Sequence, residues 1–174
     1  MTSPLRRLLL LTLLAAATAS AQQSARPSET LSLQGAALRQ PRELTVAELA
    51  AWPAEGIASY AQSRGAPGAQ VGSTVRGVRL VRLVEAAGLT DAARADWKNL
   101  LVTVTATDGY RAQFTWVELT NTAAGDNVLV LFERDGQPLD AREGRIALLS
   151  TGDMRLGARH VRNALRIEVR TVAD

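Results

Sequence analysis

Apolar and polar positions alternate most regularly between Leu101 and Leu119. Val102, Val104 and Ala106 alternate with threonines; beyond Asp108-Gly109, Tyr110, Ala112 and Phe114 alternate with polar residues. Two alternating runs joined by Asp-Gly predict a β-hairpin. A two-residue type I′ connection needs positive φ at both central positions, which Gly adopts freely and Asp tolerates. Thr115-Trp116-Val117-Glu118 then reads as a capping box, with Phe114 and Leu119 placed for a hydrophobic staple. The pattern predicts a hairpin that runs directly into a capped helix.

The same devices recur elsewhere. Residues 30–33 alternate and predict a first strand, and Leu44-Thr45-Val46-Ala47-Glu48-Leu49 repeats the box and staple. That helix should stop before Pro53, because proline disfavours helical geometry in the residue preceding it. Residues 57–61 suggest a strand. Residues 63–73 hold three glycines and a proline without periodicity and read as a loop. Leu80, Val81, Leu83, Val84 and Ala87 line one helical face that closes at Gly88. Thr90 is placed to cap a second helical segment reaching Trp97. Residues 128–132 form a continuous apolar run, as in a strand covered on both faces, and end near another Asp-Gly turn at Asp135-Gly136. Residues 146–149 form a second such run, and Leu165, Ile167 and Val169 alternate with Arg166, Glu168 and Arg170 in a final strand. Roughly seven or eight short strands and three or four short helices, without regular strand–helix alternation, predict the α+β class.

The first 21 residues stand outside this pattern. Arg6 and Arg7 precede an apolar stretch that ends at Ala19-Ser20-Ala21, the plan of a cleaved signal peptide. An exported protein is therefore expected, with a flexible lead-in over residues 22–29 and one domain over residues 30–174. The apolar stretch falls short of the roughly 20 residues that span a bilayer, and no second one follows, so no membrane span is expected after cleavage. Removal of the leader also changes the charge. The chain has 20 Lys and Arg against 17 Asp and Glu, and losing Arg6 and Arg7 brings the balance from +3 to +1. Nothing in that balance calls for a nucleic-acid partner. There is no Cys, which excludes disulfides, iron–sulfur clusters and thiol nucleophiles.

Candidate chemistry is sparse. A single histidine, His160, cannot build a histidine-based metal site, and no metal ligands are assigned. No Gly-x-Ser-x-Gly elbow accompanies it, so no catalytic residues are assigned. Asp108, Asp126 and Asp135 occupy turn positions, where Asp supports backbone geometry. The most suggestive stretch is residues 151–162, where Arg155, Arg159, His160 and Arg162 lie in or beside a glycine-bounded loop. Guanidinium groups form rigid forks suited to oxyanions and carboxylates. Arg159 and Arg162 share a face if the segment is helical. These four residues are the candidate ligand site, for a small anion. The alternative is a solvated loop whose arginines pair with Asp153 and nearby acids.

Four pieces in order resemble the oxidoreductase molybdopterin-binding domain of the sulfite-oxidase type, particularly its small exported single-domain members. They are Leu44 to Leu49; Arg76-Gly77-Val78-Arg79-Leu80 with residues 83–89; Val104-Thr105-Ala106-Thr107-Asp108-Gly109-Tyr110; and residues 128–139 with 152–169. The resemblance covers residues 30–170 and implies a mixed α+β fold with several small sheets. It also implies a molybdopterin cofactor, whose metal catalytic members hold through a cysteine preceding the Gly-Val-x-Leu element. The corresponding segment, residues 60–72, contains no cysteine. A soft thiolate has no simple substitute among Ser or Asp. The expected function is therefore a non-catalytic binding module for a small anion or a protein partner. The alternative is a molybdopterin-dependent oxidoreductase with a non-cysteine metal ligand.

Overall fold

The computed structural model describes residues 27–64, 71–155 and 157–172. The expected signal peptide and most of the lead-in lie outside the described residues, as does the centre of the expected loop at residues 63–73. The class is mixed α+β, built mostly from strands in two small sheets with a few short helices. No helix among the described residues is long and apolar enough to cross a membrane.

The first sheet has the order β2-β1-β11-β5-β6. Its strands are β1 (Thr30–Gln34), β2 (Arg42–Thr45), β5 (Leu100–Ala106), β6 (Arg111–Thr115) and β11 (Ala164–Thr171). β1 and β11 pair in parallel, and the remaining neighbours are antiparallel. The second sheet has the order β10-β9-β7-β4-β3, with β8 (Gln137–Pro138) paired beside β7. Its other strands are β3 (Ile57–Arg64), β4 (Val71–Arg79), β7 (Val128–Arg134), β9 (Ala147–Ser150) and β10 (His160–Val161).

Both predicted capped helices form. α1 (Val46–Ala50) begins at Thr45, whose side chain accepts from the Glu48 amide while the Glu48 carboxylate accepts from the Thr45 amide. α4 (Trp116–Asn121) begins at Thr115, but only half of its box is made: Thr115 Oγ1 accepts from the Glu118 amide at 3.0 Å. The Glu118 side chain turns elsewhere. α2 (Leu80–Ala87) buries Leu80, Val81, Leu83, Val84 and Ala87 and stops at Gly88, φ +68°. α3 (Asp91–Ala95) follows, capped by Thr90.

The larger core fills the space between the sheets and is closed by α2 and α4. Leu31, Leu33, Val102, Val104, Phe114, Val130, Ile167 and Val169 are all buried in it. The uninterrupted run at the start of β7 has the predicted cause. Val128, Val130 and Phe132 face this core, whereas Leu129 and Leu131 face a second, smaller cluster on the outer side with Val75, Leu139, Ala147 and Leu149. Gly77 permits β4 and β7 to approach: a Cβ there would lie 2.5 Å from the Val130 carbonyl oxygen.

Several expectations are corrected. Strand pairing invades both ends of the expected loop at residues 63–73, since β3 extends to Arg64 and β4 starts at Val71. In β11 the alternation breaks where the register shifts between Ala164 and Arg166, so Ala164 is buried and Leu165 is exposed. Ser28, expected in a flexible lead-in, is buried and donates to the Ile146 carbonyl at 3.1 Å. Eleven strands form among the described residues, more than expected, because β2, β8 and β10 are too short to leave a periodic signal.

Candidate functional site

The tip of the β5–β6 hairpin and residues 157–162 face each other across a cleft. Its connection is not the expected two-residue type I′ turn. The Ala106 amide donates to the Tyr110 carbonyl at 2.9 Å while the Ala106 carbonyl accepts from the Gly109 amide at 3.1 Å, so Thr107, Asp108 and Gly109 form a three-residue loop. Only Gly109 has positive φ (+86°), which is the three-residue plan ending in a left-handed glycine. The type I′ geometry occurs instead at Asp135-Gly136 between β7 and β8, where φ is +51° and +75°.

This longer loop brings chemistry with it. Asp108 Oδ1 accepts from the Tyr110 amide at 2.9 Å, which braces the tip. Tyr110 reaches across and its hydroxyl donates to the Ala158 carbonyl at 2.7 Å. The Thr107 amide donates to the Asn163 carbonyl at 3.0 Å. Asp108, Tyr110, Gly157, His160 and Arg162 line the resulting open cleft, about 310 Å³ in volume.

The four sequence candidates do not act as one cluster. The segment is not helical, so the shared helical face of Arg159 and Arg162 does not arise; residues 160–161 are a strand paired with β9. His160, in β10, and Arg162, in the bend just after it, both line the cleft. Arg155 is exposed on the loop. Arg159 is committed to neighbouring acids. Its Nε donates to Asp153 Oδ2 at 2.9 Å and its Nη2 to Asp153 Oδ1, while Nη1 donates to Glu118 Oε1 at 2.6 Å. Its guanidinium also stacks 4.6 Å from the centre of the Phe114 ring. This explains the half-made cap of α4, whose Glu118 carboxylate serves Arg159 instead. The hydrogen bonds from Arg159 hold the Asp153 carboxyl below the usual range against the opposing effect of burial, with further help from Ser150.

His160 belongs to a second network. Its Nε2 lies 3.2 Å from Glu143 Oε1. Glu143 accepts a forked pair from Arg134, Nε at 3.0 Å and Nη2 at 2.6 Å, and Arg134 also donates to Gln62 and Ser73. Burial pushes the Glu143 carboxyl upward. The hydrogen bonds from His160 and Arg134, with the charge of both partners, outweigh it and bring the pKa to about 2.

Sequence reasoning missed Tyr110, Arg134 and Glu143, and assigned Asp108 only to its turn. Tyr110 left one usable signal, a large aromatic directly after a hairpin turn. Glu143 left none: it sits in an aperiodic polar stretch and meets residues 9 and 17 positions away.

No family model and no curated protein matches the chain. The donors present do not fit a thiolate-held molybdenum. The chain has no sulfur donor of that kind, and no group of three or more His, Asp or Glu among the described residues is arranged to hold a metal ion. Glu143, Asp153 and Glu118 already serve guanidinium groups.

Proposed function

We propose that the chain is an exported binding module, on a scaffold resembling the sulfite-oxidase-type molybdopterin-binding domain, that holds a small anion in the cleft of Asp108, Tyr110, His160 and Arg162. One observation carries the reading. Arg162 lines the cleft without an ion-pair partner among the described residues, whereas Arg159 nearby is fully engaged. A guanidinium with free donors is a ready anion contact. Asp108 refines the ligand class. A carboxylate opposite an arginine favours an anion that also carries a hydrogen-bond donor, such as a hydroxy acid or a partly protonated phosphate.

Thermal unfolding with inorganic phosphate and with sulfate tests this. Phosphate can offer a donor to Asp108 at neutral pH and sulfate cannot, so phosphate should bind at least about tenfold more tightly. At 100 times its dissociation constant it should stabilise the fold by about 2.7 kcal/mol. Arg162→Ala should abolish the shift and Arg155→Ala should keep it. Absence of any anion-induced shift, or an unchanged shift in Arg162→Ala, defeats the proposal. The alternative, a molybdopterin-dependent oxidoreductase with a non-cysteine ligand, requires stoichiometric molybdenum in protein purified from its native host.

A further inference from the structure

The strands at the sheet margins are protected unequally. In the first sheet, β2 has four residues and carries Arg42 and Glu43, while β6 carries Arg111. In the second sheet, β10 has only two residues. Short length and charge are common ways of preventing an exposed strand from pairing with another chain. β3 has neither. It runs for eight residues, pairs with β4 along its whole length and has no other strand neighbour among the described residues. Residues 57–62, Ile-Ala-Ser-Tyr-Ala-Gln, contain no charge, no proline and no glycine.

We propose that β3 is a dimerisation edge, pairing antiparallel with β3 of a second copy of this chain about a two-fold axis at Tyr60. Three observations select a second copy. The strand is uncharged over residues 57–62, so self-pairing sets no like charges opposite each other there. Ser59 and Ala61 are small and exposed, and an axis at Tyr60 places each opposite the other. Ala58 and Tyr60 are only half-buried, yet they pack on the smaller core cluster. Pairing sets Tyr60 against its symmetry mate and continues that cluster across the seam. The five-strand path β10-β9-β7-β4-β3 thereby becomes one sheet of ten strands. The association closes at two copies, because a two-fold pairing uses the same edge of both.

Sedimentation velocity over a concentration series, with hydrogen exchange of the wild-type protein, tests the assignment. A single strand pair buries well under the roughly 1,200 Å² of a standard interface, so a dissociation constant of about 10–100 μM is expected. Concentration-dependent protection should fall on residues 57–62. The double variant Ser59→Lys, Ala61→Lys changes two exposed positions and should weaken dimerisation at least about tenfold, with the monomer's circular dichroism unchanged. The proposal is overturned by a wild type that stays monomeric to about 1 mM, by a folded lysine variant that dimerises as well as the wild type, or by protection that appears on another strand. If the lysine variant fails to fold, the exchange pattern of the wild type still decides.

Discussion

Arg159 and Arg162 flank β10 and carry the same guanidinium into contrasting surroundings. Arg159 is three-quarters buried, bonded by two carboxylates and stacked on Phe114, with every branch of its fork engaged. Arg162 stands at the rim of a cleft beside His160, Tyr110 and Asp108, with no carboxylate within ion-pair distance among the described residues. One arginine fastens the 153–159 loop to α4; the other is available to a ligand. Counting basic residues in a loop therefore says little about binding. What matters is how many of their donors the fold has already used.

That contrast can be broken from either side. The largest effect is expected at Glu143, which joins the cleft histidine to Arg134. Its folded pKa of about 2 lies below the ordinary 4.5, so its contribution to stability is present above pH 4.5 and is lost as the pH falls from there through about 2. The full contribution is at most about 3 kcal/mol. Chemical denaturation at pH 6 and pH 3 should show a clear loss in the wild type and a much smaller one in Glu143→Gln, which begins less stable at pH 6. Next is Arg159→Ala, which strands two carboxylates and uncovers Phe114; urea unfolding should register a loss of about 2 kcal/mol. Arg162→Ala should stay within about 0.5 kcal/mol of the wild type in the same measurement, because it removes no internal partner. If those two arginines cost the same, the distinction drawn between them is wrong. Tyr110→Phe falls between the two arginine variants. Losing its bond to Ala158 should cost about 0.5–1 kcal/mol and speed amide exchange in the 157–159 segment.

Much of the fold was legible because its signals are local. Thr45-Glu48 and Thr115-Glu118 announce helix starts within four residues, and the continuous run in β7 announces a strand buried on both faces. Turn type was less legible. Asp108-Gly109 and Asp135-Gly136 are the same dipeptide, yet pairing in the flanking strands gives one a three-residue loop and the other a two-residue turn. The bulge at Leu165 escaped for a similar reason, since register is set by the partner strand β5 rather than by β11 itself. The site was legible only as a neighbourhood. His160 and Arg162 were found because they lie in a glycine-bounded basic stretch, but the division of labour between Arg159 and Arg162 depends on Glu118, 41 residues away from Arg159.

The position of β11 has a consequence for biogenesis. The strand formed last in the chain lies in the middle of the first sheet, between β1 and β5. While residues 164–171 are still inside the ribosome, no strand pairing joins β1 and β2 to β5 and β6. Closing that gap joins segments more than 130 positions apart, the kind of distant pairing that makes assembly slow. Residues 164–171 must therefore emerge before the domain can lock, and the polypeptide upstream of them stays pliable until they do.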